Sequence, residues 1–305
     1  MDLSVIIPTY NRARVLAETL RAFGELHSEG IEWELLIVNN RSNDSTMHVV
    51  STHANLLPVR CLYEPSLGKN RALNRGLEAA AGKLLVLADD DIIPDHDWLK
   101  AIQAASLRWP THRAFGGRVE PLFPPGTSRG VENAAYAPYA FAIHRPQLSE
   151  GPYLNGSSPT GPNCWIRREL FELGWRFDTT IGPEGRRRVS GSELEFFTRL
   201  SAKQIESVYV PSACVVHRIQ PFQIQRSYLL KRGYASGRGF MRIFGYPRGT
   251  RRILGIPRYL YRQLAVAGLE AAACGPFQKA TSFEHLMRCS QFLGCMREAL
   301  VMNKR

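Results

Sequence analysis

Along the first ninety residues, short apolar runs alternate with helical patterns, and polar loops follow each run. Leu3 to Pro8 reads as a short buried strand. It is followed by Thr9-Tyr10-Asn11-Arg12 and then by Val15, Leu16, Leu20, Phe23 and Leu26, which recur at the spacing of one helical face. Trp33 to Val38 predicts a second strand, running into the polar loop Asn39 to Ser45 and a helix that begins near Thr46. Val59 to Tyr63 predicts a third strand, and Lys69 to Ala81 a helix rich in Ala and Leu. After Gly82 and Lys83 come Leu84-Leu-Val-Leu-Ala88, five apolar residues in a row suited to a strand buried on both faces. This β-α-β-α-β-α-β alternation predicts an α/β fold with a parallel sheet and right-handed crossovers. Thr9 to Arg12, Asn39 to Asp44 and the acidic run Asp89-Asp90-Asp91 therefore gather along one sheet edge, where open α/β sheets take their ligands.

The acidic run has two readings. Three like charges side by side repel, so a cation among them would hold them together, and hard oxygen ligands favour Mg²⁺ or Mn²⁺. Alternatively the run is a solvated turn, with Asp95 as N-cap of a helix spanning His96 to Leu107. Further on, Leu194 to Ala202 reads as a helix and Ser207 to Val216 as a strand. Helical patterns with interleaved basic and apolar residues follow at Gln225 to Gly237 and Arg248 to Ala273.

Composition narrows the class. At 305 residues and 44% apolar, the chain fills a substantial core and is not a disordered protein. No stretch approaches the roughly 20 apolar residues of a membrane span, and the start lacks the basic and apolar regions of a signal peptide, so a cytoplasmic location is expected. Six scattered cysteines form no CxxC or Cys/His pattern, which argues against a zinc site or a disulfide framework. The net charge of +12 sits almost wholly in the tail: residues 218 to 305 carry 16 Lys/Arg against 3 Asp/Glu, and residues 1 to 217 carry 23 against 24. Such asymmetry suits an anionic membrane surface or a phosphate-bearing molecule, and no nucleic-acid-binding motif accompanies it.

Four segments, in order, carry a resemblance: Val-Ile-Ile-Pro-Thr-Tyr-Asn-Arg at the amino terminus, Leu-Leu-Ile-Val-Asn-Asn-Arg-Ser-Asn-Asp-Ser-Thr, Gly68-Lys69-x-x-Ala72-Leu73-Asn74-Arg75-Gly76, and Leu-Ala-Asp-Asp-Asp-x-x-Pro94. Together they resemble the family 2 glycosyltransferases of the GT-A fold. The likeness continues through Gly161-Pro162-Asn163-Cys164-Trp165-Ile166-Arg167-Arg168, Gly191-Ser192-Glu193-Leu194-Glu195-Phe196 and Val215-Val216-His217. It implies a Rossmann-like, mostly parallel sheet flanked by helices over residues 1 to about 240. A nucleotide-binding half would end near residue 118 and an acceptor half would follow; residues 241 to 305 lie beyond the resemblance and read from their own pattern as a helical, basic C-terminal extension.

The resemblance also implies chemistry. Such an enzyme moves a sugar from a nucleoside-diphosphate sugar to a carbohydrate or lipid-linked acceptor with inversion, and a UDP-sugar is the default donor. Asp89-x-Asp91 resembles the family's metal and ribose motif, with Asp91 on the metal, Asp89 on the ribose or on the metal through water, and His217 as a further ligand. Pro8, Thr9, Tyr10, Asn11 and Arg12 would line the nucleotide pocket, joined by Asn39, Lys69, Asp89 and Asp90. Inverting transfer needs a base for the acceptor hydroxyl. Glu193 stands where the family places an Asp, with Glu195 as the alternative; both also suit the first turn of a helix. Asn39 departs from the family's usual Asp, and an amide both accepts and donates hydrogen bonds.

Three further expectations follow. Val119 to Thr160, with Pro121, Pro124, Pro125, Tyr136, Tyr139, Phe141 and Tyr153, is either an acceptor-binding lid with aromatic faces for sugar rings or a packed excursion. Gly182 to Arg188 is a basic loop that would close over the donor diphosphate. The basic, apolar tail suits a helix in a membrane interface or one packed on the catalytic domain, and it lacks the Gln-x-x-Arg-Trp signature of processive members. The rival functions are a catalytically silent nucleotide-sugar-binding protein and a sugar nucleotidyltransferase. The latter normally wants a glycine-rich basic loop after the first strand, and Pro8-Thr9-Tyr10-Asn11 is not one.

Overall fold

The computed structural model describes residues 1–154, 156–185, 187–274 and 279–303. The chain divides into two compact units. The first comprises Met1–Leu122, Ala142–Thr180 and Ser192–Arg218. The second comprises Phe123–Phe141, Ile181–Gly191 and Ile219–Arg305.

In the first unit, β1 (Leu3–Thr9), β2 (Trp33–Asn39), β3 (Val59–Tyr63) and β4 (Leu84–Ala88) pair in parallel, in the order β3-β2-β1-β4. The sheet continues through β8 (Asn163–Arg167), β6 (Ala114–Leu122), β11 (Ser207–Arg218) and β5 (Ile92–Pro94), with β7 (Gly151–Pro152) also on β11. Only β8, β5 and β7 run against their neighbours, so the sheet is mostly parallel, as the alternation predicts. The strands are covered on both faces. Leu3, Val5 and Ile7 of β1 join α1 (Ala13–Phe23) and α4 (Trp98–Arg108), while Ile6 joins α3 (Lys69–Ala79) and α8 (Ser192–Ser201) on the other side. Two short helices complete this unit: α2 (Thr46–His53) and α7 (Arg168–Glu172).

Two local devices set the site-bearing edge. Relative to β6, β11 shifts register between Val210 and Cys214. Asn163 holds that irregularity: its Nδ2 donates to Arg118 O at 2.9 Å and Ala213 O at 2.8 Å, and Trp98 Nε1 donates to its Oδ1 at 3.0 Å. Beyond the shift, β11 pairs antiparallel with β5, setting His217 opposite Ile92. The carboxylate of Asp95 accepts from Asp97 N at 3.1 Å and so orders the turn, but α4 starts at Trp98 rather than His96. Likewise α3 ends at Ala79, because Ala80 turns extended and the Ala81 and Gly82 amides donate to Glu34 and Ser4.

The second unit contains α5 (Arg129–Glu132), α6 (Ala137–Phe141), the hairpin β9 (Gly182–Glu184) with β10 (Arg187–Val189), α9 (Arg226–Phe244), the hairpin β12 (Arg252–Ile253) with β13 (Ile256–Pro257), α10 (Arg258–Ala273) and α11 (Lys279–Met302). Helix α9 runs past Gly237 because its glycines are contact points: a Cβ on Gly237 would strike Gln291 O, and one on Gly294 of α11 would strike Tyr234 O. Glu298, with no exposed surface, receives Arg238 Nε at 2.9 Å and Arg242 Nε at 2.7 Å. The extended run expected as helix from Arg248 is interrupted by β12 and β13, so α10 begins only at Arg258. Tyr136 and Phe141 are buried, edge-on to Phe283 and Phe123 respectively, which makes those two rings packing residues rather than open faces for a sugar. No helix among the described residues is long and apolar enough to cross a membrane.

Candidate active site

The loops leaving β1 and β2 are zipped together by their own polar groups. Asn40 N donates to Thr9 O at 2.9 Å, Asn11 N to Ser42 Oγ at 3.0 Å, and Asn43 N to Asn11 Oδ1 at 2.8 Å. Asn11 takes a left-handed backbone (φ 52°), a conformation Asn tolerates better than most residues. Asp44 adds a clamp, accepting from Ala13 N at 2.9 Å and from Thr46 N at 3.1 Å, so one carboxylate serves the starts of α1 and α2. Asn40 reaches the other way, donating to Ser66 O at 2.7 Å and accepting from Gly68 N at 2.8 Å. The start of α3, and with it Lys69, is thereby fixed beside the loops.

Asn39 lies inside this arrangement. It is buried, and its Oδ1 accepts from Ser42 N at 2.8 Å, so its amide shapes the loop from within. Pro8 is half-buried in register with Val38, and Tyr10 stands exposed at the loop.

The three aspartates after β4 part company. Asp89 faces Lys69, whose Nζ donates at 2.7 Å. Asp90 turns inward: Thr9 Oγ1 donates to its Oδ2 at 2.7 Å and Arg12 Nη1 to its Oδ1 at 2.6 Å, leaving it enclosed. Asp91 takes Arg12 Nη2 on Oδ2 at 2.6 Å. Asp90, expected at the donor, is thus an internal clamp with Thr9, and Arg12, expected to line the nucleotide pocket, is engaged between two carboxylates. Repulsion within the run is offset by Arg12 and Lys69, cations of the chain itself that sit among the three acids. Burial pushes Asp90 up to about 6, with Arg12 opposing the rise. Burial acts the same way on Asp91, yet His217 and Arg12 outweigh it and hold that carboxyl well below the usual range.

His217 reaches this cluster through the β5–β11 pairing, and Arg218 N donates to Asp91 O at 2.9 Å. Its Nε2 lies 3.2 Å from Asp91 Oδ1, an oxygen that is buried and accepts no hydrogen bond. A buried carboxylate oxygen left without a hydrogen bond, next to an imidazole nitrogen, fits a divalent cation such as Mg²⁺ or Mn²⁺. Among the described residues no group of three or more His, Cys, Asp or Glu side chains could hold an ion. Substrate oxygens would therefore complete the shell, as phosphates do for Mg²⁺.

Glu193, in the first turn of α8, meets the same edge. Lys69 Nζ stands 2.9 Å from Glu193 Oε1 and 2.7 Å from Asp89 Oδ1, so one ammonium joins the two carboxylates. Burial disfavours the charge on Lys69, but Asp89 and Glu193 overcome it and keep the amine protonated. Glu195 is directed elsewhere, paired with Arg199 one turn along α8. Glu193, not Glu195, faces the acidic edge.

Some of what builds the site was not given a role by sequence reasoning. A Cβ on Gly161 would lie 2.5 Å from Glu193 Oε1 and 3.1 Å from Lys69 Nζ, so only glycine leaves the carboxylate where it is. Its signal was its place in the Gly161-Pro162-Asn163 run. Thr19 and Arg218 brace the acids from behind: Thr19 Oγ1 donates to Asp90 O at 2.8 Å, and Arg218 to Thr19 Oγ1 and Glu18 Oε2, each at 2.8 Å. Of the basic loop, Arg186 lies outside the described residues, and Arg188 sets its guanidinium 5.8 Å over the Tyr228 ring within the second unit.

The arrangement brings an Asp91–His217 pair, a fixed ammonium and the Glu193 carboxylate to one sheet edge. Residues 4–175 match the family described as Glycosyl transferase family 2. Glycosyltransferase AglE of Haloferax volcanii is 24% identical over 245 residues, covering 79% of this chain and 74% of AglE. Validoxylamine A glucosyltransferase of Streptomyces hygroscopicus subsp. jinggangensis is 30% identical over 105 residues, 34% of this chain and 25% of that protein. Among solved structures, the mannosyltransferase PcManGT from Pyrobaculum calidifontis, in complex with GDP-Man and Mn²⁺, aligns over 99% of this chain and 88% of its own at a TM-score of 0.62 and 20% identity. TarS 1-349 of Staphylococcus aureus, in complex with UDP, aligns over 100% and 92% at a TM-score of 0.54 and 15% identity. The sheet with its flanking helices is accordingly the GT-A arrangement, and with more than half of its length matched, the chain belongs to glycosyl transferase family 2.

Proposed function

We propose that this chain is an inverting, metal-assisted glycosyltransferase that moves one sugar at a time from a nucleoside-diphosphate sugar to a hydroxyl of a carbohydrate or lipid-linked acceptor. The observation that carries the reading is the shared lysine. Through Lys69, Glu193 stands at the same edge as Asp89, whose neighbour Asp91 meets His217. In the proposed reaction Glu193 removes the acceptor hydroxyl proton as that oxygen attacks the anomeric carbon. The bond from that carbon to the diphosphate breaks on the opposite face, and the diphosphate leaves with the electron pair. Lys69 holds Glu193 in place and adds positive charge beside the leaving group, and Asp89 takes the ribose. A divalent cation held by Asp91 and His217 would supply neutralising charge for the departing diphosphate. Arg12, fixed on Asp90 and Asp91, joins His217 in keeping the Asp91 carboxylate ionised. Peripheral attachment to an anionic membrane through the basic tail, at the cytoplasmic face, belongs to the same proposal.

A thermal-shift screen of UDP, GDP and dTDP, alone and as sugar conjugates, with and without Mn²⁺, tests it. PcManGT was solved with GDP-Man and TarS with UDP, so both bases enter the screen. One nucleotide should raise the melting temperature only when Mn²⁺ is present. If no nucleotide does so under any condition, the reading fails.

A further inference from the structure

The hairpin joining α9 to α10 combines two features that are unfavourable in water. At its tip Leu254 is 86% exposed, the most of any large apolar residue described in the second unit, and Ile253 is 49% exposed. Leu254 also takes a left-handed backbone (φ 50°) followed by Gly255 (φ 80°), so the turn places a bulky apolar residue where Asn, Asp or Gly is favoured. A residue that suits neither solvent nor its own backbone points to a role outside the fold.

The base of the hairpin is firmly held. Asn303 Nδ2 donates to Gly255 O, Tyr261 OH donates to Ile253 O at 3.2 Å, and buried Ile256 and Leu260 pack with Met241, Cys295 and Ala299. The tip is therefore ordered in advance rather than a loose loop.

Around it the charge is of one sign. No Asp or Glu occurs from residue 207 to residue 269. Arg248, Arg251, Arg252, Arg258 and Arg262 are all exposed, and among the described residues none forms an ion pair. Among the described residues the Arg252 guanidinium donates to neutral partners, Asn303 Oδ1 at 2.6 Å and Tyr246 OH at 3.2 Å. Exposed Phe240 and Phe244 stand at the same end of the helical unit. Helices α9 and α11 run parallel, with Gly233 near Met287 and Arg242 on Glu298, so Phe244 and Asn303 both lie where the hairpin is held.

We propose that Ile253 and Leu254 form a wedge that enters the headgroup boundary of an anionic phospholipid bilayer, with the five arginines as its collar. Aliphatic insertion and a basic rim are the two components of interfacial binding. A polyanion such as nucleic acid would use the arginines but gives an exposed leucine no apolar phase to enter. This inference deepens the membrane reading above by naming the element responsible.

The test is co-sedimentation of the full chain with vesicles of phosphatidylglycerol in phosphatidylcholine and of phosphatidylcholine alone, at low and high salt. Wild type should bind the anionic vesicles and lose most binding in high salt. Leu254→Asn should weaken binding about tenfold, while its melting temperature holds or rises because Asn suits the turn. Arg251→Gln with Arg258→Gln should weaken it by a similar factor or more. If wild type binds and Leu254→Asn binds equally well, the wedge is wrong and the membrane reading stands. If wild type ignores anionic vesicles, both fall. Binding to a DNA duplex that Leu254→Asn leaves intact, with no preference for vesicles, would make the surface a general polyanion site and overturn the proposal. Nucleotide binding at the acidic site, measured in the same variants, reports on the glycosyltransferase reading separately.

Discussion

Gly161→Ala separates position from presence at the proposed base. The added methyl would sit 2.5 Å from Glu193 Oε1 and 2.7 Å from its Cδ, against an ordinary contact of 3.4 Å or more. The carboxylate must therefore withdraw by about 0.9 Å, and with it the contact to Lys69 at 2.9 Å. Because the obstructed group is the end of a flexible side chain, the fold should absorb the change at about 1 kcal/mol or less, part of it offset by the stiffer unfolded chain. Turnover should not absorb it. A misplacement of about 1 Å at a reacting group costs on the order of a hundredfold. Once a donor is identified, nucleoside-diphosphate release gives kcat, and titration calorimetry gives the donor Kd. The expected result is a fall in kcat of about a hundredfold, with Kd within about threefold of wild type and a melting shift of a few degrees at most. Unchanged kcat would refute the claim that the Glu193 carboxylate acts from where it stands. A kcat loss matched by an equal loss of folded protein would reduce Gly161 to a packing residue.

Two further outcomes are expected. His144, buried beside Tyr153, has its pKa lowered by burial to about 4 from an ordinary 6.5. The neutral ring thus contributes stability that is whole above about pH 6.5 and lost as pH falls towards 4, of order 3 kcal/mol in all. His144→Phe should flatten the stability-versus-pH curve over that window in denaturant titrations, and an unchanged slope would show that the ring is hydrated. Glu298→Ala removes the buried carboxylate that Arg238 and Arg242 share in the second unit, which should cost roughly 3 kcal/mol by the same titration. A loss below about 1 kcal/mol would mean that water replaces the carboxylate.

β1, β2 and β4 were legible because they are buried on both faces, so Leu3 to Ile7, Leu35 to Val38 and Leu84 to Ala88 are written as mostly apolar runs. Their polar exits followed at once, and so did the meeting of Glu193 with the aspartate edge, through motif order. The division of labour among the three aspartates was not legible. Arg12 and Lys69 arrive as counter-charges through tertiary folding, from positions 78 and 20 residues away, and nothing in three adjacent aspartates says which one turns inward. Glycine misled in the second unit. Gly237 reads as a helix stop, yet α9 continues to Phe244 because that glycine admits the backbone of α11, whose bounds within the expected helical extension were not legible. The aromatic segment near Tyr136 was ambiguous for a related reason: ring content says nothing of what covers the ring.

Two carboxylates with different proposed duties stand at one edge, Asp91 and Glu193, and one paired measurement reaches both. Equilibrium binding of the nucleoside diphosphate, with and without Mn²⁺, is compared with turnover for Asp91→Asn and Glu193→Gln. Asp91→Asn should abolish the Mn²⁺-dependent part of nucleotide binding, while Glu193→Gln should bind nucleotide as wild type does and lose turnover by at least about a hundredfold. Wild-type turnover in Glu193→Gln, or Mn²⁺-dependent binding untouched in Asp91→Asn, would contradict that division.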